Sequence, residues 1–391
     1  MRVDTTLAGR VKIINPSPTL AITAKAKKLK SQGRDIIGLA AGEPDFDTPD
    51  FIKRAAIDSI EKGFTKYTPT TGTVELKNLI SEKFKKDNSL DYSSEQIAVS
   101  CGAKHSIFNS LMALIDNGDE VLIPLPYWVS YPEMVRICNA KPVFIRTQAA
   151  NNFKFTCPDL KKSITRKTKV LILNSPSNPT GCVYTEKELV GIAEICVDKN
   201  ITVISDEIYE KIIFAKSQHI SIASLNKDIY NQTITVNGMS KSYSMTGWRI
   251  GYLGGPKDIV SAISKLQDHS TSNPASTSQK AAEAALSQGE EFICFMRKEF
   301  EKRRDYACSR LDKIKGITYA RPEGAFYIFC DISRTKMDAS AFAERLLEEA
   351  LVAVIPGEGF GSSSHIRISF ATSIELLQKA FDRIEQWMNK I

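Results

Sequence analysis

Histidine is scarce in this chain of 391 residues: His105, His219, His269 and His365 are all there are, and none stands at metal-ligand spacing to another. A structural or catalytic zinc would lack its usual ligands, so no metal is expected. The eight cysteines (101, 138, 157, 182, 196, 294, 308 and 330) are scattered without a Cys-x-x-Cys pair. They read as reduced thiols in a reducing compartment, not as a disulfide framework. No stretch of about 18 apolar residues occurs, and no apolar core follows the basic residues near the amino terminus. Neither a membrane span nor a leader is therefore expected, and the chain reads as cytoplasmic. Charge of one sign is not concentrated either. The 52 lysines and arginines exceed the 45 acids by only 7. They are mixed with those acids and form no tract interleaved with aromatics, which argues against nucleic acid and suits small anionic partners. No repeat or low-complexity linker divides the chain, and its 42% hydrophobic content supports one large core and a second, smaller one.

Three short apolar runs organise the middle of the sequence. Val-Leu-Ile-Leu (170–173) empties into Asn174-Ser-Pro-Ser-Asn178-Pro-Thr-Gly181, and Ile-Thr-Val-Ile (201–204) into Ser205-Asp206-Glu207-Ile208-Tyr209. Thr-Ile-Thr-Val (233–236) runs into Asn237-Gly-Met-Ser240-Lys241. Such runs read as buried strands, and the 30 or so residues between them leave room for a crossover helix such as 186–199. In an open parallel α/β sheet, ligands bind at the carboxyl ends of the strands, where each of these runs turns polar.

Lys241 is the chemically most telling residue there. Its amine can condense with a carbonyl cofactor, and Arg249, eight residues later, can hold a phosphate, so together they suit the two ends of pyridoxal phosphate. A carboxylate at Asp206 would keep the cofactor's pyridine nitrogen protonated and the ring an effective electron sink. Asn178 and Tyr209 can each bond its phenolic oxygen. Upstream, Ile-Ala-Val-Ser (97–100) reads as a strand, Cys101-Gly102-Ala103-Lys104 as a tight turn and 105–115 as a helix, which aims free amides at an anion. Trp128 offers a flat face for the ring.

Asn178-Pro-Thr-Gly181, Asp206-Glu-Ile-Tyr209, Ser240-Lys241 and Gly247-Trp-Arg249-Ile-Gly251 together resemble the signature set of class I pyridoxal-phosphate aminotransferases. Ala41-Gly42-Glu-Pro-Asp-Phe-Asp-Thr-Pro49, Lys66-Tyr67-Thr-Pro-Thr-Thr-Gly72 and Pro126-Tyr-Trp128-Val-Ser-Tyr-Pro132 extend the resemblance over nearly the whole chain. It is nearest to bacterial aspartate aminotransferases of the subgroup that also use prephenate. The resemblance implies an α/β fold of the aspartate-aminotransferase type (fold type I), with a mostly parallel seven-stranded sheet and a smaller α+β domain. It implies domain limits of 1–46 (joining the small domain), 47–295 and 296–391.

The same resemblance implies roles. Lys241, Asp206 and Tyr209 would be catalytic. Gly102, Ala103, Lys104, Trp128, Asn178, Ser240 and Arg249 would join them around the cofactor, with Tyr67 reaching it from the partner subunit of a homodimer. Arg367, in the alternating half-buried strand 365–370, would bind the substrate's α-carboxylate, with Gly42, Trp128 and Asn178 beside it and Lys104 near the distal carboxylate. The expected reaction passes an amino group from an amino acid, aspartate foremost, to 2-oxoglutarate by a ping-pong route. Prephenate or aromatic amino acids are alternative substrates, and a β-lyase reaction is an alternative outcome. A ligand-sensing half of a transcription regulator is disfavoured, since only about 40 residues precede Ala41-Gly42. Two departures bear on scope: Asn15 stands before Pro16-Ser17 where the subgroup often has a basic residue, and His105 replaces a common glutamine. Further expectations are strands at 324–329 and 365–370, helices at 291–311 and 339–350, and a last helix with a core stripe of Leu377, Phe381, Ile384 and Met388. Gly357-Glu-Gly359-Phe-Gly361 fails the dinucleotide fingerprint and reads as a flexible loop.

Overall fold

A computed structural model of the protein describes residues 7–15, 18–214 and 217–391. Its main sheet has seven strands: β1 (Ile97–Ser100), β2 (Glu120–Pro124), β3 (Lys141–Ile145), β4 (Thr168–Asn174), β5 (Thr202–Asp206), β6 (Thr233–Gly238) and β7 (Gly251–Gly254). They lie in the order β1-β7-β6-β5-β4-β2-β3. All neighbours are parallel except β7, which runs against both β1 and β6. The three apolar runs are thus the adjacent central strands β4, β5 and β6. Their residues are buried on both faces, which is why they read as unbroken hydrophobic stretches and not as alternating ones. The crossover helix Glu186–Asp198 starts on a capping box in which Thr185 and Glu188 satisfy each other's backbone amides.

Register decides which side chains meet. Asn174 pairs with Asp206 and Asp206 with Val236, while Gly238 and Ser100 both pair with Gly251. The ends of β1, β4, β5 and β6 therefore converge on one edge of the sheet.

A four-stranded antiparallel sheet forms a second unit in the order 355–356, 365–369, 327–331, 318–319. Ile37–Gly38 pairs in parallel with Val352–Ala353, bringing the early chain to the late one. Ile37 and Leu39 share an apolar cluster with Phe342, Leu346, Phe381 and Ile384, and the same cluster reaches Tyr209 and Phe300. Phe300 belongs to the long helix Glu290–Leu311. Among the described residues, no helix is long and apolar enough to cross a membrane. All eight cysteines are free.

Several local expectations need correction. The strand read at 324–329 lies at Tyr327–Asp331, because Gly324 is held in a lone bridge to Ile213 and Ala325 takes a φ of 57°. The glycine-rich segment expected to be a flexible loop is a 3₁₀ turn, Gly357–Phe360, anchored by the buried ring of Phe360. Strand 365–369 is buried on both faces, not one: Ile366 and Ile368 pack into the apolar core, while Arg367 on the other face is covered by Asn178, Ala40 and the Tyr327 ring. The last helix, Ile374–Met388, buries Leu377, Phe381 and Ile384 as read, but its stripe ends on Trp387, leaving Met388 half-buried. Pro16 and Ser17 lie outside the described residues; the adjacent Asn15 donates its amide to Glu133 at 3.2 Å.

Behind the edge where Asp206 sits is a group of charges that the histidine count concealed. Glu207, Glu210 and His219 converge, with ligand atoms within 4.8 Å of one another, yet the cation against them is the ammonium of Lys83, ion-paired to Glu210. His219 Nε2 bonds Glu207 at 2.9 Å, while Ser205 and Ser221 donate to Glu207 and Asn88 donates to both acids. Burial opposes a charged His219, but Glu207 and Glu210 outweigh it and raise its pKa. A raised pKa contributes stability that is complete below the unfolded value, roughly 6.5, and is lost as pH climbs through the folded value. His219→Ala leaves a buried carboxylate short of its partner, so it should cost roughly 2–4 kcal/mol near pH 6. The deficit should shrink near pH 9, which urea unfolding at both pH values would measure.

Candidate active site

A cavity of about 630 Å³ opens at the convergent edge. Of the residues singled out from sequence, all but Gly102 and Tyr67 line it. Gly102 lies just behind the wall and Tyr67 is 91% exposed.

Asp206, only 4% exposed, ends β5. Its Oδ2 accepts the Tyr131 hydroxyl at 2.6 Å and its Oδ1 the Ile208 amide at 3.3 Å. Burial nevertheless dominates and pushes its pKa up to about 6. No described cation is ion-paired with this acid, and the attraction of the more distant Lys241 is too weak to offset burial. Lys241, in the short helix Met239–Ser242 after β6, donates to the Gly42 carbonyl oxygen at 2.5 Å. Burial lowers its pKa to about 8; Arg367 and Arg249 push the same way, against the pull of Glu43 and Asp206.

Arg249 has a φ of 54° and donates to the carbonyl oxygens of Thr246 (2.9 Å) and Cys101 (3.3 Å). Its guanidinium presses on Gly102 so closely that any β-carbon there would collide with it. Gly102, with a φ of 91°, precedes the helix Ala103–Leu114, whose first amides have no intrahelical acceptor. The helix begins two residues earlier than read, so Ala103 and Lys104 form its first turn. His105 is no solvated bystander: its Nδ1 takes the Cys101 amide at 3.3 Å. Lys104 places its ammonium 4.9 Å from the Trp128 ring centre, a cation–π distance. Lost water contact, then Arg249, lowers its pKa.

Arg367, 2% exposed, reaches from the second sheet into the same space. It donates to Asn178 Oδ1 and to the Ala40 carbonyl oxygen, both at 3.0 Å, and lies 4.2 Å from the Tyr327 ring centre. Its Nε is buried without a hydrogen-bond partner among the described residues. Tyr209 shares a 2.9 Å hydrogen bond with the Tyr327 hydroxyl. An amine, an unneutralised acid and two arginines thus share one cavity, which is the equipment for handling an anionic amino compound.

Residues 34–384 match the family described as Aminotransferase class I and II. The chain belongs to that family. The aminotransferase is 50% identical to the aspartate aminotransferase of Bacillus sp. (strain YM-2), over 98% of this chain and 99% of that one. It is 46% identical to the probable aspartate/prephenate aminotransferase of Aquifex aeolicus, over 98% and 99%. Its structure superposes on the aspartate aminotransferase of Thermus thermophilus solved with maleate with a TM-score of 0.94, at 41% identity, covering 98% and 99%.

The aminotransferase also carries site residues that sequence reasoning passed over. Tyr131, three residues after Trp128 in the quoted Pro126–Pro132 motif, holds Asp206. Asn174 fixes the loop by donating to the Asp206 carbonyl oxygen (2.9 Å) and accepting the Asn178 amide (2.9 Å). Its place at the end of a buried strand was the available signal. Tyr327 and Glu43 gave none, since an alternating strand and an acidic loop have ordinary explanations.

Proposed function

We propose that this aminotransferase transfers the amino group of L-aspartate to 2-oxoglutarate, giving oxaloacetate and L-glutamate, with pyridoxal 5'-phosphate held in the cavity. The observation that carries this reading is a depressed lysine amine sharing a buried space with an acid that forms no ion pair with any described residue. The residues suit the cofactor on three counts. The Asp206 carboxyl wants a positive neighbour, which a protonated pyridine nitrogen would be. Gly102 allows Arg249 to lie against a helix start, forming a cradle for a phosphate. The cavity volume is in the range of small-molecule sites.

Bound there, the cofactor would supply a carbonyl that condenses with amines and a ring that takes up the electron pair released at the substrate's Cα. The chain's own residues do the rest. Arg249, with Ser240 and the amides of Ala103 and Lys104, would anchor the phosphate. Asp206, fixed by Tyr131, would keep the ring nitrogen charged, and Trp128 would cover a face. Tyr209 and Asn178 would bond the phenolic oxygen. Arg367 would trade its bonds to Asn178 and Ala40 for the substrate's α-carboxylate, beside Gly42. Lys241, its pKa brought down to about 8 by burial, would carry the proton from Cα and return it. Tyr67, standing free on the surface, suits a contact into the site of a second copy, so a homodimer belongs to the proposal. So do domain limits at 46/47 and 295/296, which would let the second sheet carry Arg367 toward the first. The free cysteines suit the cytoplasm.

Aspartate is favoured by the names of relatives at 46–50% identity. The Aquifex aeolicus relative's name supports prephenate as a second amino acceptor. The purified enzyme, loaded with pyridoxal phosphate, should form glutamate from aspartate and 2-oxoglutarate faster than from aromatic donors. Release of pyruvate and ammonia from a β-substituted amino acid such as serine or cysteine, with no glutamate formed from aspartate and 2-oxoglutarate, would overturn the proposal in favour of a lyase.

A further inference from the structure

Six cationic side chains line the cavity (Lys27, Lys30, Lys104, Lys241, Arg249 and Arg367) against two acids, Glu43 and Asp206. The proposed function employs the side chains of Lys241, Arg249 and Arg367, and the Lys104 ammonium is engaged with the Trp128 ring. Lys27 and Lys30 are left over, and they come from an element with no part in the chemistry described so far.

That element is the helix Pro18–Ser31, which contains lysines at 25, 27, 28 and 30 and no acid. Its Thr23, Ala26, Lys27 and Lys30 all line the cavity, at the i, i+3, i+4, i+7 spacing of a single helix face. The helix is tied down along an adjoining face, with Ala26 at the boundary between the two. Ile22, Ala26 and Leu29 pack on a cluster that includes Leu347 and Phe360, and Lys25 pairs with Glu344 (2.6 Å) and Glu348 (2.9 Å). Lys27 and Lys30 form no ion pair with any described residue and are exposed. Lys25 is thus neutralised locally, while the two lysines facing the cavity are not.

Resting on the function proposed above, we infer that Lys27 and Lys30 form a cationic rim that captures dicarboxylates before they reach Arg367, making the enzyme favour acidic substrates by rate of association. Unpaired charges at the mouth of a low-dielectric cleft concentrate oppositely charged ligands there. An acidic amino acid or 2-oxoglutarate carries net negative charge and gains from the rim, whereas a donor with an uncharged side chain is zwitterionic and gains almost nothing. Because the lysines touch no reacting atom, they act on capture and not on turnover.

The test is the variant K27Q/K30Q, followed in both half-reactions and by calorimetric binding of succinate, a dicarboxylate that cannot react. At low salt, kcat/KM for aspartate and 2-oxoglutarate should fall about 3- to 10-fold, with succinate affinity falling alongside and kcat unchanged. Raising the salt until the screening length drops to about 3 Å, near 1 M, should bring wild type and variant together. The half-reaction with phenylalanine should be the same in both proteins. Unchanged kcat/KM and succinate affinity at low salt would overturn the inference. So would an equal loss for phenylalanine, or a loss that salt leaves intact, because either would mark a packing defect. If wild type bound succinate more tightly than the variant but transaminated nothing, the rim would stand and the reaction proposed above would fall.

Discussion

Lys241→Ala is expected to reduce turnover by about 10⁴-fold or more and to remove the visible absorbance of a lysine-bound cofactor. The amine is the one basic group that both lines the cavity beside Asp206 and has a pKa brought down to about 8. Burial does most of that work and the two arginines add to it. With about a tenth of it deprotonated at pH 7 and half near pH 8, such an amine can accept and return a proton without a large penalty either way. Lys104, the other lysine on that wall, is engaged with the Trp128 face and cannot substitute. The measurement is a single turnover with aspartate, after confirming by circular dichroism that the variant is folded. A variant working within about 10-fold of wild type would place the proton transfer on another group.

Asp206→Asn is the second large effect, and it should separate activity from stability. Asparagine keeps the volume and removes the charge; with its oxygen on the Ile208 amide, its NH2 group can donate to the Tyr131 hydroxyl oxygen. Turnover should fall by about 10²–10³-fold, the usual scale for losing one preorganised electrostatic group. Stability of the cofactor-free protein should move the other way or not at all. Asp206 has its pKa raised to about 6 by burial. An unfolded chain releases that proton near 3.9, so the ionised acid works against folding above that pH, increasingly until the folded group also ionises near 6. The amide escapes this cost. Thermal unfolding at neutral pH should therefore give a midpoint equal to or above wild type. A variant that loses activity together with a falling midpoint would show Asp206 to be structural.

How far these residues could be read beforehand depended on what kind of signal each left. Strands β4, β5 and β6 were legible because apolar runs ending abruptly in Asn174, Asp206 and Asn237-Gly238 have no reason to be polar there unless the sheet edge is used. Arg367 was legible as a cation needing an anion, but its full burial was not, since the groups that cover it, Asn178, Ala40 and Tyr327, come from distant segments. The Glu207–Glu210–His219–Lys83 group stayed hidden for the same reason. Lys83 and His219 lie 136 positions apart, and no local pattern marks either as buried. Tyr131 was quoted within a motif and given no task, because a tyrosine near a tryptophan reads as ordinary packing until the acid opposite is seen.

Direction of travel in the sheet has one last implication. Six strands deliver their finishing residues to the working edge, whereas β7, being reversed, delivers its starting ones. The intervening segment 239–250 never leaves that edge, so Lys241 and Arg249 come from one short stretch pinned at both ends to the same rigid platform. Were the second sheet to move on the proposed hinge, Arg367 would come nearer or withdraw, but the amine would not part from the guanidinium. Whatever the two grip stays seated through every cycle, and only the visitor comes and goes.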